Sequence, residues 1–326
     1  MSLLEFVDTE GREGSVLSPG DWAGRREDIL ERMQMVMGTL PGTDKRVPLE
    51  LEIHETDKMP GLTRSRISYA SEQGHRVPAY LLVPGGLESP APALLSLQGT
   101  SGGKGRTAGV GEPYSPYSLE PAQRGYVTIA PDYVTLGDNL VDPIQMGYAS
   151  GTMKGIWDHI RAVDLLESLP EVDRTRIGAI GLSLGGHNAL FSAVFDTRLK
   201  AVVTSSGFDS FHDYMGGDLA GWCQDRYMPR IGDIYGKNPS ELPFDFPEVV
   251  AAIAPRPLFV HAPKSDYNFI VDSVQRCVES AGEVYQLLGA RDNLVAIYPE
   301  GKHGFPLEAR LQAYTFLDRS LANGKS

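Results

Sequence analysis

Arg176-Ile-Gly-Ala-Ile-Gly-Leu-Ser-Leu-Gly-Gly-His187 is the stretch whose reading decides the fold. An apolar run without polar alternation leads into Gly181-Leu182-Ser183-Leu184-Gly185, and a helical pattern begins at once. G-x-S-x-G arises by chance in Gly-rich chains, but here it sits in the strand–turn–helix context that gives it meaning. So tight a turn needs glycine on both sides of Ser183, and it leaves the hydroxyl exposed at the carboxyl edge of a sheet. The helix that follows brings the Leu184 amide and a positive dipole end to any oxyanion forming there.

Outward from this segment, short apolar runs recur at Ala93–Leu97, Tyr126–Ala130, Ala201–Thr204, Pro257–His261 and Leu294–Tyr298. Such runs suit strands buried on both faces of a parallel sheet. Helical patterns separate them, clearest at Thr152–Leu169 and Val271–Leu288, and a last helix is expected at Leu307–Leu321. Upstream, Leu49, Leu51 and Ile53 alternate with Glu50, Glu52 and His54 as in a half-buried strand. Extended runs at Arg64–Ser71 and Arg76–Pro84, parted by Gln73-Gly74, read as an antiparallel hairpin. An isolated helix from Trp22 to Met37 precedes them, with Asp21 placed to cap it and Gly38 and Pro41 to end it. The pattern is an α/β fold: an open, mostly parallel sheet with helices on both faces and an antiparallel start. Residues 1–48 read as an N-terminal extension and 49–322 as the main domain. Between Ser206 and Pro255 lies a stretch rich in Gly, Pro, Tyr and Trp, too long for a plain connection. It reads as a lid-like insertion between strands 6 and 7.

A serine hydroxyl is a weak nucleophile until a base takes its proton and a carboxylate orients that base. For a serine presented on such an elbow, the acid and then the histidine follow along the chain. His303 stands in Tyr298-Pro-Glu-Gly-Lys-His-Gly-Phe-Pro306, after the last strand and before the last helix, which is where the base belongs. His261 falls within a strand and reads as a core residue, while His212 lies in the insertion, where it is a candidate for touching substrate. Asp266 follows the strand Pro257–His261 and is the candidate acid; Asp209, after the preceding strand, is the alternative. A second oxyanion donor is expected from Leu97-Gln-Gly-Thr-Ser-Gly-Gly-Lys-Gly105, with Thr100 supplying its amide beside that of Leu184. That loop does not spell a phosphate-binding G-x-x-x-x-G-K-[ST]. Gln98, Tyr133, His212, Trp222 and Tyr267 are the candidate substrate contacts, with Tyr214 and Tyr227 completing the aromatic set of the insertion.

The segment Gly181–Gly186 with Asp266 and His303 resembles the triad positions of the α/β-hydrolase superfamily, over roughly Leu49 to Leu321. Within it the chain is similar to serine esterases related to dienelactone hydrolases and acetyl xylan esterases. Gly125-Tyr-Val-Thr-Ile-Ala-Pro-Asp-Tyr133 and Ile253-Ala-Pro-Arg-Pro-Leu-Phe259 resemble segments of the same family. Two departures stand out. Many relatives carry His-Gly or His-Gln where this chain has Gln98-Gly99, and dienelactone hydrolases use cysteine where it has Ser183. The resemblance implies hydrolysis of carboxylic esters of small acyl groups through an acyl-enzyme, with no cofactor and no metal. Peptide cleavage of the prolyl-oligopeptidase type, or ligand binding without catalysis, are the alternatives.

Composition narrows the classes further. The net charge of −12, from 30 Lys+Arg against 42 Asp+Glu with no basic run, argues against nucleic acid or anionic membrane as partner. A small-molecule ester is the expected partner. Cys223 and Cys277 are the only cysteines and lack any metal-binding spacing, which reads as two free thiols in a reducing compartment. Met1–Glu10 has no Lys or Arg and too short an apolar run for a signal peptide, so the chain reads as cytoplasmic.

Overall fold

A computed structural model describes residues 3–7, 11–111 and 115–322, and among these the chain builds one nine-stranded sheet and one small ribbon. The ribbon pairs β1 (Glu5–Val7) with β2 (Glu13–Ser15). α1 (Pro19–Met37) follows, and Ile29, Met33, Val36 and Met37 on its inner face are fully buried. Its cap differs from the expectation: the Ser18 hydroxyl accepts from the Asp21 amide, and the Asp21 carboxylate takes the Ser18 hydroxyl and Leu17 amide in return. Asp21 is therefore the reciprocal partner, three residues inside, and Ser18 the cap.

The large sheet opens with β3 (Glu52–Met59), β4 (Leu62–Glu72) and β5 (His75–Pro84), all antiparallel, the last two in register through Glu72 opposite His75. β3 departs from the half-buried strand read from Leu49, Leu51 and Ile53. It starts at Glu52 and forms the edge of the sheet, and Ile53 is 61% exposed. Leu49 and Leu51, just before the strand, do pack half-buried against the main core, so the alternation reports burial up to Leu51 and fails at Ile53 on the edge.

The remaining strands are parallel: β6 (Ala91–Leu97), β7 (Val127–Pro131), β8 (Val172–Leu182), β9 (Leu199–Ser205), β10 (Leu258–His261) and β11 (Leu294–Ile297). Across the sheet the order is β11-β10-β9-β8-β6-β7-β5-β4-β3. This is the mostly parallel open sheet expected of an α/β-hydrolase. Side chains alternate between two apolar layers. Ile177, Ala179, Val202 and Val260 face one layer with α1, α4 (Gly151–Ser168), α5 (Leu184–Phe195), α7 (Phe246–Ala251) and α8 (Val271–Leu287). Ile180, Leu182, Val203 and Phe259 face the other, against α9 (Leu307–Ser320). Each fully buried branched side chain contributes roughly 1.5–3 kcal/mol, so the unbroken apolar runs serve both faces at once. Between β6 and β7 lie the short helices α2 (Gly103–Thr107) and α3 (Leu119–Gln123), and α6 (Arg230–Asp233) lies in the insertion.

Register aligns the carboxyl ends. Leu97 pairs with Gly181, Leu182 with Ser205, and His261 with both Ser205 and Ile297. The chain leaves β6 toward β7 on one side and returns as β8 on the other. Open α/β sheets bind ligands in the crevice that such a reversal creates.

Candidate active site

Ser183 begins where β8 meets α5, with φ 56° and ψ −119°, a backbone conformation that costs on the order of 1–3 kcal/mol outside glycine. The neighbours show why the turn needs glycines. A Cβ on Gly181 would collide with the Gly185 carbonyl oxygen, and one on Gly185 with that of Leu97. On Gly186 it would lie 2.8 Å from the Cα of Gly207. The strained serine is pinned by its own amide, which donates to Ser205 O at 2.9 Å, and by its carbonyl, which accepts from the His187 amide at 3.1 Å. α5 is buried from Leu184 to Val194, so its N-terminus cannot drift away from the strand ends.

Asp266 and His303 come from the loops after β10 and β11. Backbone hydrogen bonds zip those loops together: Ala262 N to Ile297 O, Lys264 N to Pro299 O and Ser265 N to Gly301 O, at 2.9–3.0 Å. His303 Nδ1 then lies 2.9 and 3.0 Å from the two Asp266 oxygens. Burial works to raise the Asp266 carboxyl, but the His303 ring and the Asn268 amide outweigh it and hold it below the usual carboxylate range. A carboxylate can only accept, so the ring nitrogen beside it is the donor, and Nε2 is the nitrogen left to take a proton. Ser183 and His303 line one cavity of about 400 Å3, without a hydrogen bond closed between them. Catalytic hydrogen bonds are often long until substrate tightens the site.

Asp209 stays apart from the imidazole. One oxygen accepts from the Ile270 amide at 3.0 Å and the other, buried, has no partner. Burial, with Asp213, Asp245 and Asp266 nearby, pushes its carboxyl up to about 7. The folded state therefore holds this proton more tightly than the unfolded chain, and stability falls as pH rises from the unfolded value near 4 through about 7. Asp209→Asn is expected to flatten that fall, gaining on the order of 2–4 kcal/mol over the native chain at pH 8 relative to pH 4. Urea unfolding at both pH values reads it. Parallel curves for the two proteins would mean that Asp209 is charged throughout.

Two cavities meet at Ser183. The larger takes in Gln98, Thr100, Arg106, Tyr117, Tyr267 and Asn268 besides the serine and histidine, and is mostly polar. The smaller, about 190 Å3, is lined by Ser183, Leu184 and Thr100 with Tyr214, Trp222, Tyr227 and Phe269. Thr100, Leu184, Gln98, Trp222 and Tyr267 therefore stand beside Ser183, and three of the four aromatic or histidine side chains singled out in the insertion do too. The Gln98 loop is fixed from behind. The Asp132 carboxylate accepts from the Lys104 amide at 2.9 Å and from the buried Lys104 ammonium, which also reaches Asp138 at 2.6 Å.

Two expected contacts are corrected. His212 lines a different cavity of about 580 Å3, with Phe6, Arg25, Phe244 and Cys277, because the insertion carries it to the far side of Asp245. Neither the elbow serine nor His303 lines that cavity. Tyr133 is 3% exposed beneath Leu184 and Tyr227, and its hydroxyl donates to Arg226 O at 2.6 Å. Gly155 leaves the room for its ring, so it supports the floor of the site. Asn268 and His187 escaped the sequence reading. Asn268 lines both cavities two residues beyond Asp266, and nothing in its local pattern marks it. His187 is 3% exposed, and burial lowers it to about 3, so the ring is neutral. Its Nδ1 donates to Gly207 O at 3.1 Å, which makes Nε2 an acceptor. Among the described residues no group of three or more side chains is arranged to hold a metal ion, and no helix is long and apolar enough to cross a membrane.

Comparison with known proteins finds similar sequences and a similar fold. Residues 151–215, which hold the elbow, match the acetyl xylan esterase (AXE1) family model. The 4-O-methyl-glucuronoyl methylesterase 1 of Wolfiporia cocos is 28% identical over 198 residues, covering 53% of this chain and 47% of that protein. YtaP of Bacillus subtilis, described as a candidate hydrolase, is 27% identical over 263 residues, 76% of this chain and 85% of its own. The chain thus spans about half the length of the first relative and most of the second. In structure it resembles a glucuronoyl esterase from Solibacter usitatus, with a TM-score of 0.78 at 20% identity over 99% of this chain and 97% of that one. A glucuronoyl esterase from Caldicellulosiruptor kristjansonii gives 0.72 at 20% identity, over 98% and 93%. The chain has the α/β-hydrolase fold and is related to esterases of the acetyl xylan esterase-like kind.

Proposed function

We propose that the protein is a serine carboxylic-ester hydrolase acting on an ester that joins a sugar to a small group. The observation that carries this is the pairing of a strained, elbow-mounted Ser183 with the Asp266-bound ring of His303 in one cavity. Ser183 Oγ attacks the acyl carbon while His303 takes its proton, and Asp266 keeps the ring in the tautomer that can accept it. The Leu184 and Thr100 amides hold the oxyanion. His303 returns the proton to the leaving alcohol, then draws one from the water that releases the acyl group. Every step is served by side chains and amides of this chain, with no cofactor.

The two cavities divide the substrate. The smaller is walled by Tyr214, Trp222, Tyr227 and Phe269 and has room for a group of one to a few carbons. The larger, with its hydroxyl, amide and guanidinium walls, suits a sugar. An acetylated sugar is the first reading. A uronoyl methyl ester is the second, favoured by the names of the glucuronoyl methylesterase relatives, and it swaps which side carries the acyl carbon. The insertion supports the small-group reading, since Gly216, Gly217, Gly221, Pro229, Gly232, Gly236 and Pro239 leave it only single-turn helices before α7. It offers no long amphipathic helix for a lipid surface.

A series of p-nitrophenyl esters, assayed beside acetylated xylo-oligosaccharides and methyl glucuronate, tests this. kcat/KM for C2 and C4 esters is expected to exceed that for C10 by at least about tenfold, as a pocket closed to longer chains requires. Activity that climbs with chain length would mean that the small cavity does not bound the substrate.

A further inference from the structure

Arg106 sits on the wall of the larger cavity, facing the same space as Ser183 and His303. Its stem lies against Gly102, where φ is +89° and a Cβ would come within 2.8 Å of the Arg106 Cδ. One nitrogen, Nη1, donates to Ser101 Oγ at 2.9 Å. Among the described residues that is its sole hydrogen bond. Among the described residues the Nε–H is buried without a partner and no carboxylate pairs with the guanidinium. A guanidinium without a carboxylate is available to an anion, and this one stands at the cavity that holds Ser183 and His303. Asp132 and Asp138, on the loop after β7, are both held by Lys104. The same cavity is lined by Gln98, 3% exposed, and neither atom of its amide has a partner among the described residues.

Buried donors left unmatched are costly, more so when charged, and they persist where a ligand completes them. A guanidinium with most of its N–H fork open matches one chemistry best, a carboxylate held by two parallel hydrogen bonds. Asp266, bound to His303, carries a negative charge that repels an anion, whereas Arg106 on the cavity wall attracts one.

We propose that Arg106, with Gln98 lining the same cavity, is a carboxylate subsite, so that the ester turned over at Ser183 carries a free carboxylate elsewhere in the molecule. The inference rests on the ester-hydrolase reading and adds the substrate's charge to it. The carboxylate comes either from an acidic sugar or from a dicarboxylic half-ester, and the two sources call for separate arms.

The test compares matched pairs: O-acetyl galacturonic acid against O-acetyl galactose, and monomethyl succinate against methyl butyrate, followed by proton release. Wild-type protein is expected to prefer the acidic member of at least one pair by about tenfold in kcat/KM, the scale of one charge-assisted contact. The sugar pair responding alone assigns the source to an acidic sugar, and the succinate pair alone to a half-ester. Arg106→Gln should bring that ratio close to one, while Arg106→Lys should keep part of it, since a point charge still attracts the anion. Raising the ionic strength should shrink the ratio in the wild type and leave it unchanged in Arg106→Gln. Equal turnover of both members of each pair by the wild type would overturn the subsite, as would a preference that survives Arg106→Gln. Failure to cleave any of the four esters would instead overturn the hydrolase reading, and the two failures are distinguishable.

Discussion

Ser183→Ala is expected to lower kcat by about 10⁴–10⁶-fold while leaving the fold and its unfolding midpoint close to native. The reasoning starts from the backbone. The elbow's shape is set by Gly181, Gly185 and Gly186, and by the bonds from the Ser183 amide and carbonyl, none of which involves the hydroxyl. Removing Oγ therefore takes away the nucleophile and little else. What remains, an oxyanion hole and a binding cleft, accounts for the residual rate seen when such nucleophiles are deleted elsewhere. A serine-directed phosphonate should label the native protein at this residue alone, read by peptide mass mapping. Turnover in the alanine variant within tenfold of native would remove Ser183 from the chemistry and the ester-hydrolase reading with it.

How much of this was legible in the sequence follows from how local each determinant is. The elbow was legible because its rule is local: a serine at positive φ flanked by glycines, between an apolar strand and a helix. The strands β6 to β11 were legible for a related reason, since burial on both faces removes polar residues from the run itself. β3 was read too early in the chain: Leu49 and Leu51 pack on the main core before the strand begins, whereas Ile53, on the edge strand itself, is exposed. The insertion was misjudged in part. Trp222, Tyr214 and Tyr227 reach the small cavity, but His212, two residues before Tyr214, turns instead toward Phe6 and Arg25. Without periodicity, nothing in the sequence tells which way a side chain of an irregular segment faces. Tyr133 shows the same limit. Its position after β7 placed it near the site, yet its direction depends on Gly155 in a helix far along the chain. Arg106 has no sequence signature at all, because what marks it is the partner it lacks.

Asp266→Asn carries the second large effect, a fall in kcat of about 10³–10⁴-fold with little change in KM for the same ester. The carboxylate does not touch substrate; it acts on the tautomer of His303. With Asp266 ionised and accepting at 2.9–3.0 Å, the ring holds its proton on Nδ1 and presents Nε2 to the serine. An asparagine in its place can turn its NH2 toward Nδ1, which puts the ring proton on Nε2, where it cannot accept from Ser183. The net lowering of the Asp266 carboxyl gives the expected pH window: the native carboxylate stays charged at neutral pH and is protonated only well into acid. Its stabilising contribution is therefore present above the ordinary carboxylate range and is lost as pH falls through the depressed value. Asp209→Asn is the control that separates the two acids. Asp209 bonds the Ile270 amide and has no contact with the ring, so its replacement should change kcat by less than about tenfold while altering stability with pH. The reverse ranking, a near-native Asp266→Asn beside an inactive Asp209→Asn, would move the acid to the loop after β9 and leave the Asp266–His303 contact without a catalytic part. Measuring kcat for both variants on a single C2 ester decides between the two positions.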